Sequence, residues 1–326
     1  MEQNLSKKTR TESDLIGSRE VPESALYGVQ TLRGIENFRI SKFHLNEYPL
    51  FIQALAITKM GATIANRELD LLTEEQADAI LRACKEILEG KHHEQFPVDM
   101  IQGGAGTTTN MNANEVIANR ALELMGHQRG EYQFCSPNDH VNRSQSTNDA
   151  YPTAIHIGLY YTHLKLVKHF ATLIEAFRKK GAEFAHIIKM GRTQMQDAVP
   201  IRLGQEFKAY SVAVMRDIRR MDIAMDEMRS LNMGGTAIGT GINADEAYLK
   251  RIVPNLSEVS GMDFIQAFDL IDSTQNLDPF VSVSGAIKAC AVTLSKIAND
   301  LRLMSSGPRA GFHEINLPAK QNGSSI

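Results

Sequence analysis

Three short polar runs carry the residue types that could hold a small anion. They are Ser144-Gln145-Ser146-Thr147-Asn148-Asp149, Gly191-Arg192-Thr193-Gln194-Met195-Gln196-Asp197, and Gly323-Ser324-Ser325-Ile326. Hydroxyl and side-chain amide groups donate hydrogen bonds without bringing charge of their own. In the first run Ser146, Thr147, Asn148 and Asp149 stand in succession ahead of Pro152. One such residue is enough to cap a helix. Four in a row gather donors at a positive helix end, so the run reads either as a cap or as an anion site. The second run reads either as a polar helix–helix connection or as part of a site, and the third stands where the sequence stops.

Other patterns that resemble sites have plainer readings. Gly234-Gly235-Thr236-Ala237-Ile238-Gly239-Thr240-Gly241 imitates a phosphate loop, but no Lys-Ser/Thr pair follows and no strand precedes it. A helix end and tight turn is the reading we adopt there. His92-His93-Glu94 follows Gly90 in a hydrophilic stretch and reads as solvated. The three cysteines, Cys84, Cys135 and Cys290, are odd in number and scattered, which argues against a disulfide framework or a zinc site.

Composition narrows the class. A chain of 326 residues with 43% apolar and 22% charged residues can build a core and is ordinary for a soluble protein. A formal net charge of −3 with dispersed Lys and Arg leaves no footprint for nucleic acid. The stretch from Met1 to Asp14 is polar, and no uninterrupted apolar run approaches the roughly 18 residues of a membrane span. We therefore expect a cytoplasmic protein with neither nucleic-acid nor membrane partners.

Long helices must position the runs. From Phe280 the residues Phe280, Val283, Ile287, Cys290, Leu294, Ile297, Leu301 and Met304 step by three and four, an unbroken heptad seam. Phe207, Val214, Ile218, Met221, Met225 and Met228 keep the same rhythm. The stretch 154–188 has two adjacent apolar stripes, as in a helix covered from two sides. No proline interrupts 153–199, 201–253 or 280–307. The first 140 residues have shorter pieces: Thr73-Glu74-Glu75-Gln76 is a capping box opening a helix to Leu88, and 114–125 reads as a second short helix. The expectation is an all-α fold with a mainly helical N-terminal domain over 1–142 and a long-helix bundle domain over 143–326.

Taken in order, the motifs resemble the aspartase/fumarase superfamily, on its aspartase branch, from about Gly17 to Ile326. The matching segments are Gln102-Gly103-Gly104-Ala105-Gly106-Thr107, Asn110-Met111-Asn112-Ala113-Asn114-Glu115, Ser146 to Asp149, Gly191 to Pro200, Ser306-Gly307-Pro308-Arg309-Ala310-Gly311 and Gly323 to Ile326. The resemblance implies a small N-terminal helical domain, a bundle of five long helices, a C-terminal helical domain, and a homotetramer with a twenty-helix core.

It also implies an activity: anti elimination of ammonia from L-aspartate to give fumarate, with neither an organic cofactor nor a metal. The hard step is loss of a weakly acidic Cβ proton. It becomes feasible when the doubly charged aci-carboxylate is held by preorganised donors, each worth roughly 3–4 kcal/mol. By resemblance Ser324 is the general base, activated by the amides and cation of its own loop. Thr107, Ser146, Thr147 and Ser325 would clamp the β-carboxylate. Asn148, with Thr107 and Gln194, would lie near the amino group, and Thr193 would face the α-carboxylate. These groups would come from three subunits at each site.

The sequence departs from the family pattern twice. A Met-Pro-x-Lys-x-Asn run should follow Ile326, and its Lys and Asn, the last bundle helices and the C-terminal domain are missing from these 326 residues. The chain as written is expected to be a C-terminally truncated, inactive form. At 194 the chain has Gln where fumarases and some aspartases carry His, and this, with Gly103-Gly104-Ala105-Gly106-Thr107 in place of a fumarase-type loop, favours the aspartase branch. Class II fumarase and a non-catalytic structural member of the same superfamily are the alternatives.

Overall fold

The structure is a computed structural model that describes residues 8–323. It is mostly helical, with three two-stranded sheets. The elements run β1 (Thr9–Asp14), β2 (Gly17–Pro22), α1 (Val29–Asn37), α2 (Pro49–Arg67), α3 (Glu74–Leu88), α4 (Thr107–Leu124) and α5 (Thr147–Glu183). They continue β3 (Ile188–Thr193), β4 (Gln196–Arg202), α6 (Leu203–Glu227), β5 (Ser230–Leu231), α7 (Glu246–Ser260), β6 (Ile265–Gln266), α8 (Leu270–Gln275) and α9 (Asp278–Met304). A single π-helical turn, Pro137–Val141, precedes α5.

The chain forms two compact units. The first runs to Thr162 and takes back Met228–Leu277; the second comprises His163–Glu227 and the chain from Asp278 onward. The division falls inside α5, so these units are drawn differently from the 1–142 and 143–326 domains expected from sequence.

The first unit is built around α2, where Ile52, Ala54, Leu55, Ala62 and Ala65 are buried against α3, α4 and α7. The α2–α7 approach is close enough that a Cβ on Gly61 would meet Leu256 Cδ2 at 2.6 Å. At the start of α3 the expected capping box is present, with Thr73 Oγ1 accepting from Gln76 N and Gln76 Oε1 accepting from Thr73 N. Helix α1 has no side-chain cap of its own; distant carboxylates fill that role. Glu115 accepts from the amides of Gly28, Gln30 and Thr31 at 2.8–3.0 Å, and Glu12 accepts from Val29 N at 2.9 Å. All four orphan donors of the first turn are thereby satisfied by negative groups at the positive helix end.

The second unit packs the C-terminal part of α5 with α6 and α9. Phe177, Phe207 and Tyr210 form an aromatic cluster with centroids 5.7–6.4 Å apart, and Tyr210 donates to Asp300 on α9 at 3.1 Å. On α9 half of the expected seam is buried, while Ile287 is exposed and Phe280, Leu294 and Leu301 are partly buried. Val283, Cys290, Ile297 and Met304, one heptad apart, are all buried. Opposite faces of α6 and α9 leave Val212, Met215, Ile223, Val281 and Val292 exposed. By length and composition alone α9 is long and apolar enough to cross a membrane.

Two local expectations need correction. The helical stretch expected over 154–188 ends at Glu183, and 188–202 forms the antiparallel β3–β4 hairpin, with Gln194 and Met195 as its two-residue turn. Both have positive φ, 53° and 63°, the left-handed pair that matches strand twist in a tight hairpin. The Gly191 to Asp197 run is thus a strand–turn–strand, not a simple polar link. His92-His93-Glu94 is less solvated than expected, because His92 pairs with Glu86 at 3.0 Å and His93 with the Ile87 carbonyl at 2.8 Å, closing the end of α3. All three cysteines are free and buried, and burial pushes the Cys84 and Cys135 thiols up to about 12, which removes them as nucleophiles at neutral pH.

Candidate functional site

The first unit gathers the starts of α4 and α5. A glycine loop, with φ of 75° at Gly104, 48° at Ala105 and 95° at Gly106, turns the chain into α4. Only glycine fits at 106, where a Cβ would lie 2.4 Å from the Tyr151 ring. Gln102 braces this loop, donating to the Asp99 carbonyl and Thr109 Oγ1 and accepting from Thr109 N. Thr107 then opens α4, exposed, with its hydroxyl donating to the Gly104 carbonyl at 2.6 Å.

At α5 the cap and the polar run coincide. Ser146 Oγ accepts from Asn148 N at 3.2 Å, while Ser146 N donates to Asp149 Oδ1 at 2.8 Å, a reciprocal cap. The second oxygen of Asp149 accepts from the amides of Gly234 and Thr236, at 3.1 and 3.0 Å. The glycine loop that imitates a phosphate cradle therefore closes on a carboxylate of the chain itself. Asn148 Nδ2 donates to the Ala237 carbonyl at 2.7 Å and Asn232 Nδ2 donates to the Asn148 carbonyl at 2.9 Å, which ties α5 to the same loop. Asn148 Oδ1 is left as an acceptor, the polarity an ammonium group requires.

Behind this run lies a residue that sequence reasoning missed. Lys59, on α2, is fully buried, and its ammonium donates to Asn110 Oδ1, Asn142 Oδ1 and Gln145 Oε1 at 2.8–2.9 Å. Asn110 Nδ2 in turn donates to Thr147 Oγ1 at 3.3 Å and to Asn142 Oδ1 at 3.2 Å. Burial brings the Lys59 ammonium down to about 7, against an opposing pull from Asp149. A cleft of about 670 Å³ opens on this face, lined by Asn110, Asn142, Ser144, Gln145, Ser146 and Thr147 among others. The one sequence signal was a lysine inside the apolar stretch of α2, and its three partners are 51 to 86 residues away.

In the second unit Thr193 ends β3 and Gln194 begins the hairpin turn, both exposed. Arg192, just before them, is held by Glu314. Ser324 and Ser325 lie outside the described residues. The first unit thus brings Thr107, Ser146, Thr147 and Asn148 to neighbouring helix starts, while Thr193 and Gln194 share a hairpin of the other unit. No cluster of three His, Cys, Asp or Glu side chains suited to a metal ion occurs among the described residues.

The chain matches the lyase family over residues 17–326. An aspartate ammonia-lyase of Helicobacter pylori is 57% identical over 97% of this chain and 68% of its own length. The chain belongs to this lyase family. The aspartate ammonia-lyase of Bacillus subtilis is 53% identical, with 99% of this chain and 68% of that protein covered. The chain thus spans about two thirds of the relatives it matches. A cobalt-bound structure from Brucella melitensis, described as fumarate lyase:delta crystallin, superimposes with a TM-score of 0.96 at 51% identity, covering 98% of this chain and 69% of that one. A class II fumarase from Schistosoma mansoni superimposes at 0.92 with 33% identity, over 98% and 70%.

Proposed function

We infer that the chain is an ammonia-lyase that converts L-aspartate to fumarate and ammonia by anti β-elimination. The observation that carries this reading is the start of α5. There Ser146 and Thr147 present hydroxyls into a polar cleft backed by a buried ammonium, a setting for a carboxylate that must take up a second negative charge. Aspartate is favoured over malate because aspartate ammonia-lyases match at 52–57% identity whereas the class II fumarase matches at 33%.

In this reading Thr107, Ser146, Thr147 and Ser325 hold the β-carboxylate, and Thr193 faces the α-carboxylate. Asn148 and Gln194 receive the amino group, and Ser324 removes the Cβ proton. The developing charge passes into the held carboxylate, so the donors gain strength as the proton leaves. No cofactor or metal takes part in the scheme.

We further propose that the functional form is a cytoplasmic homotetramer whose sites draw residues from three subunits. The exposed apolar faces of α6 and α9, with Val212, Ile223, Val281 and Val292, support association with like helices.

The test is direct. Protein expressed from its complete reading frame is mixed with L-aspartate or with L-malate, and fumarate is followed by its absorbance. Aspartate turnover with negligible malate turnover is expected. Malate turnover of similar size would assign the chain to the hydratase side instead.

A further inference from the structure

We propose that Lys59 is a positioning residue that, through Asn110, aims the Thr147 hydroxyl proton into the cleft and sets positive charge behind the carboxylate bound there. This rests on the aspartate-lyase reading of the same site.

An ammonium has three protons and no lone pair, so every partner must turn an oxygen toward it. Lys59 therefore fixes the amides of Asn110, Asn142 and Gln145 oxygen-inward. With its oxygen committed, Asn110 can offer only N–H to its other neighbours. Its two amide protons go to Thr147 Oγ1 and Asn142 Oδ1, at 3.3 and 3.2 Å. Asn142 Oδ1 also accepts from Lys59 and from Asn114, so this oxygen is saturated with donors. Thr147 Oγ must then act as acceptor toward Asn110, and its own proton is left for another direction. Thr147 lines the cleft, so a carboxylate oxygen there meets a hydroxyl donor.

Without the ammonium this direction is not determined. The oxygen and nitrogen of a side-chain amide are nearly isosteric, so Asn110 could turn over and accept from Thr147, withdrawing the donor. Lys59 has only neutral hydrogen-bond partners among the described residues, and the titratable groups that act on it are the buried Asp149 carboxyl and Cys84 thiol. The ammonium charge is felt at the cleft through a water-poor interior, where attraction to an anion is weakly screened.

The test uses the enzyme from its complete reading frame and three substitutions, Lys59→Met, Asn110→Asp and Thr147→Val. Lys59→Met takes the one donor from Asn110 Oδ1 and from Gln145 Oε1 and can unfold the protein, so Asn110→Asp carries the argument independently. It keeps an oxygen on Lys59, adds a buried ion pair, and forces Thr147 to donate inward. It also turns a carboxylate oxygen on Asn142 Oδ1 and brings negative charge to the cleft, effects that would raise KM equally with Thr or Val at 147, so the coupling between the two substitutions decides. The proposal predicts a thermal midpoint retained and KM for L-aspartate raised about tenfold to a hundredfold, the scale of one lost hydrogen bond to a charged group. Combining Asn110→Asp with Thr147→Val should add much less than the product of the two effects. In the parent, KM should also rise as the pH passes about 7, where Lys59 loses its proton, and a folded Lys59→Met variant should lack that rise. A parent without aspartate turnover overturns the functional reading and this proposal with it. Turnover in the parent with unchanged KM in Asn110→Asp, or fully multiplicative effects in the double variant, overturns the proposal alone.

Discussion

Arg192 grips Glu314 with both terminal nitrogens, at 2.6 and 3.1 Å, across 122 residues of sequence. Lys189 reaches the same carboxylate at 3.0 Å, and Phe312 lies under the Arg192 guanidinium at 3.8 Å. Burial works to raise the Glu314 carboxyl, but the hydrogen bonds from Arg192 and Lys189 outweigh it and hold it below the usual range. Within this unit the hairpin bearing Thr193 and Gln194 is thus pinned to the segment that leads toward Ser324. Glu314→Gln should cost about 1–3 kcal/mol of local stability. Amide hydrogen exchange over 188–202 reads this out, and unchanged protection would show that the clamp contributes nothing to the hairpin.

Ser324 is proposed to act on a proton. Ser324→Ala should lower kcat on the order of 10³-fold while the thermal midpoint stays put. Near-parental turnover would move the base to another residue.

Glu115 makes stability depend on pH. Burial raises its carboxyl from 4.5 to about 7, against the three amides of α1 that favour its ionised form. An acid with a raised folded-state value binds more protons folded than unfolded between those two pH values. Its contribution is therefore complete below about 4.5 and is lost as the pH climbs through about 7. Thermal midpoints across this interval should carry that downward component in the parent. Glu115→Gln should be less stable throughout, since an amide NH₂ then faces a backbone N–H, yet the component should disappear. Parallel parent and variant profiles would refute the assignment.

Gly61 is a packing requirement. Gly61→Ala should cost about 1–3 kcal/mol because its Cβ would strike Leu256. Denaturant unfolding measures this, and adding Leu256→Ala should make the two losses less than additive. Strict additivity would mean that α2 and α7 part without strain.

Periodicity and capping chemistry revealed the α9 seam and the start of α3, because both signals are local: a three–four step and a Thr–Gln pair three apart. The β3–β4 hairpin was hidden because its turn is Gln194-Met195, without the glycine or asparagine that normally announces two left-handed residues. Ser146 and Thr147 were readable as either cap or site, and the structure shows the cap while leaving their hydroxyls at a cleft. Lys59 was not readable, since burial of a lysine depends on three amide oxygens that only the folded chain brings together. Ser324 and Ser325 remain readings of sequence.

Asp149 has a consequence for protein engineering. Its carboxylate fills a nest of three backbone amides from Ser146, Gly234 and Thr236, so the glycine loop carries its own built-in occupant. Cutting that side chain back with Asp149→Gly would vacate a carboxylate-sized hole lined by unpaired donors. Free formate or acetate should then restore part of the lost thermal stability in a saturable way, as chemical rescue, while chloride at equal ionic strength should restore less.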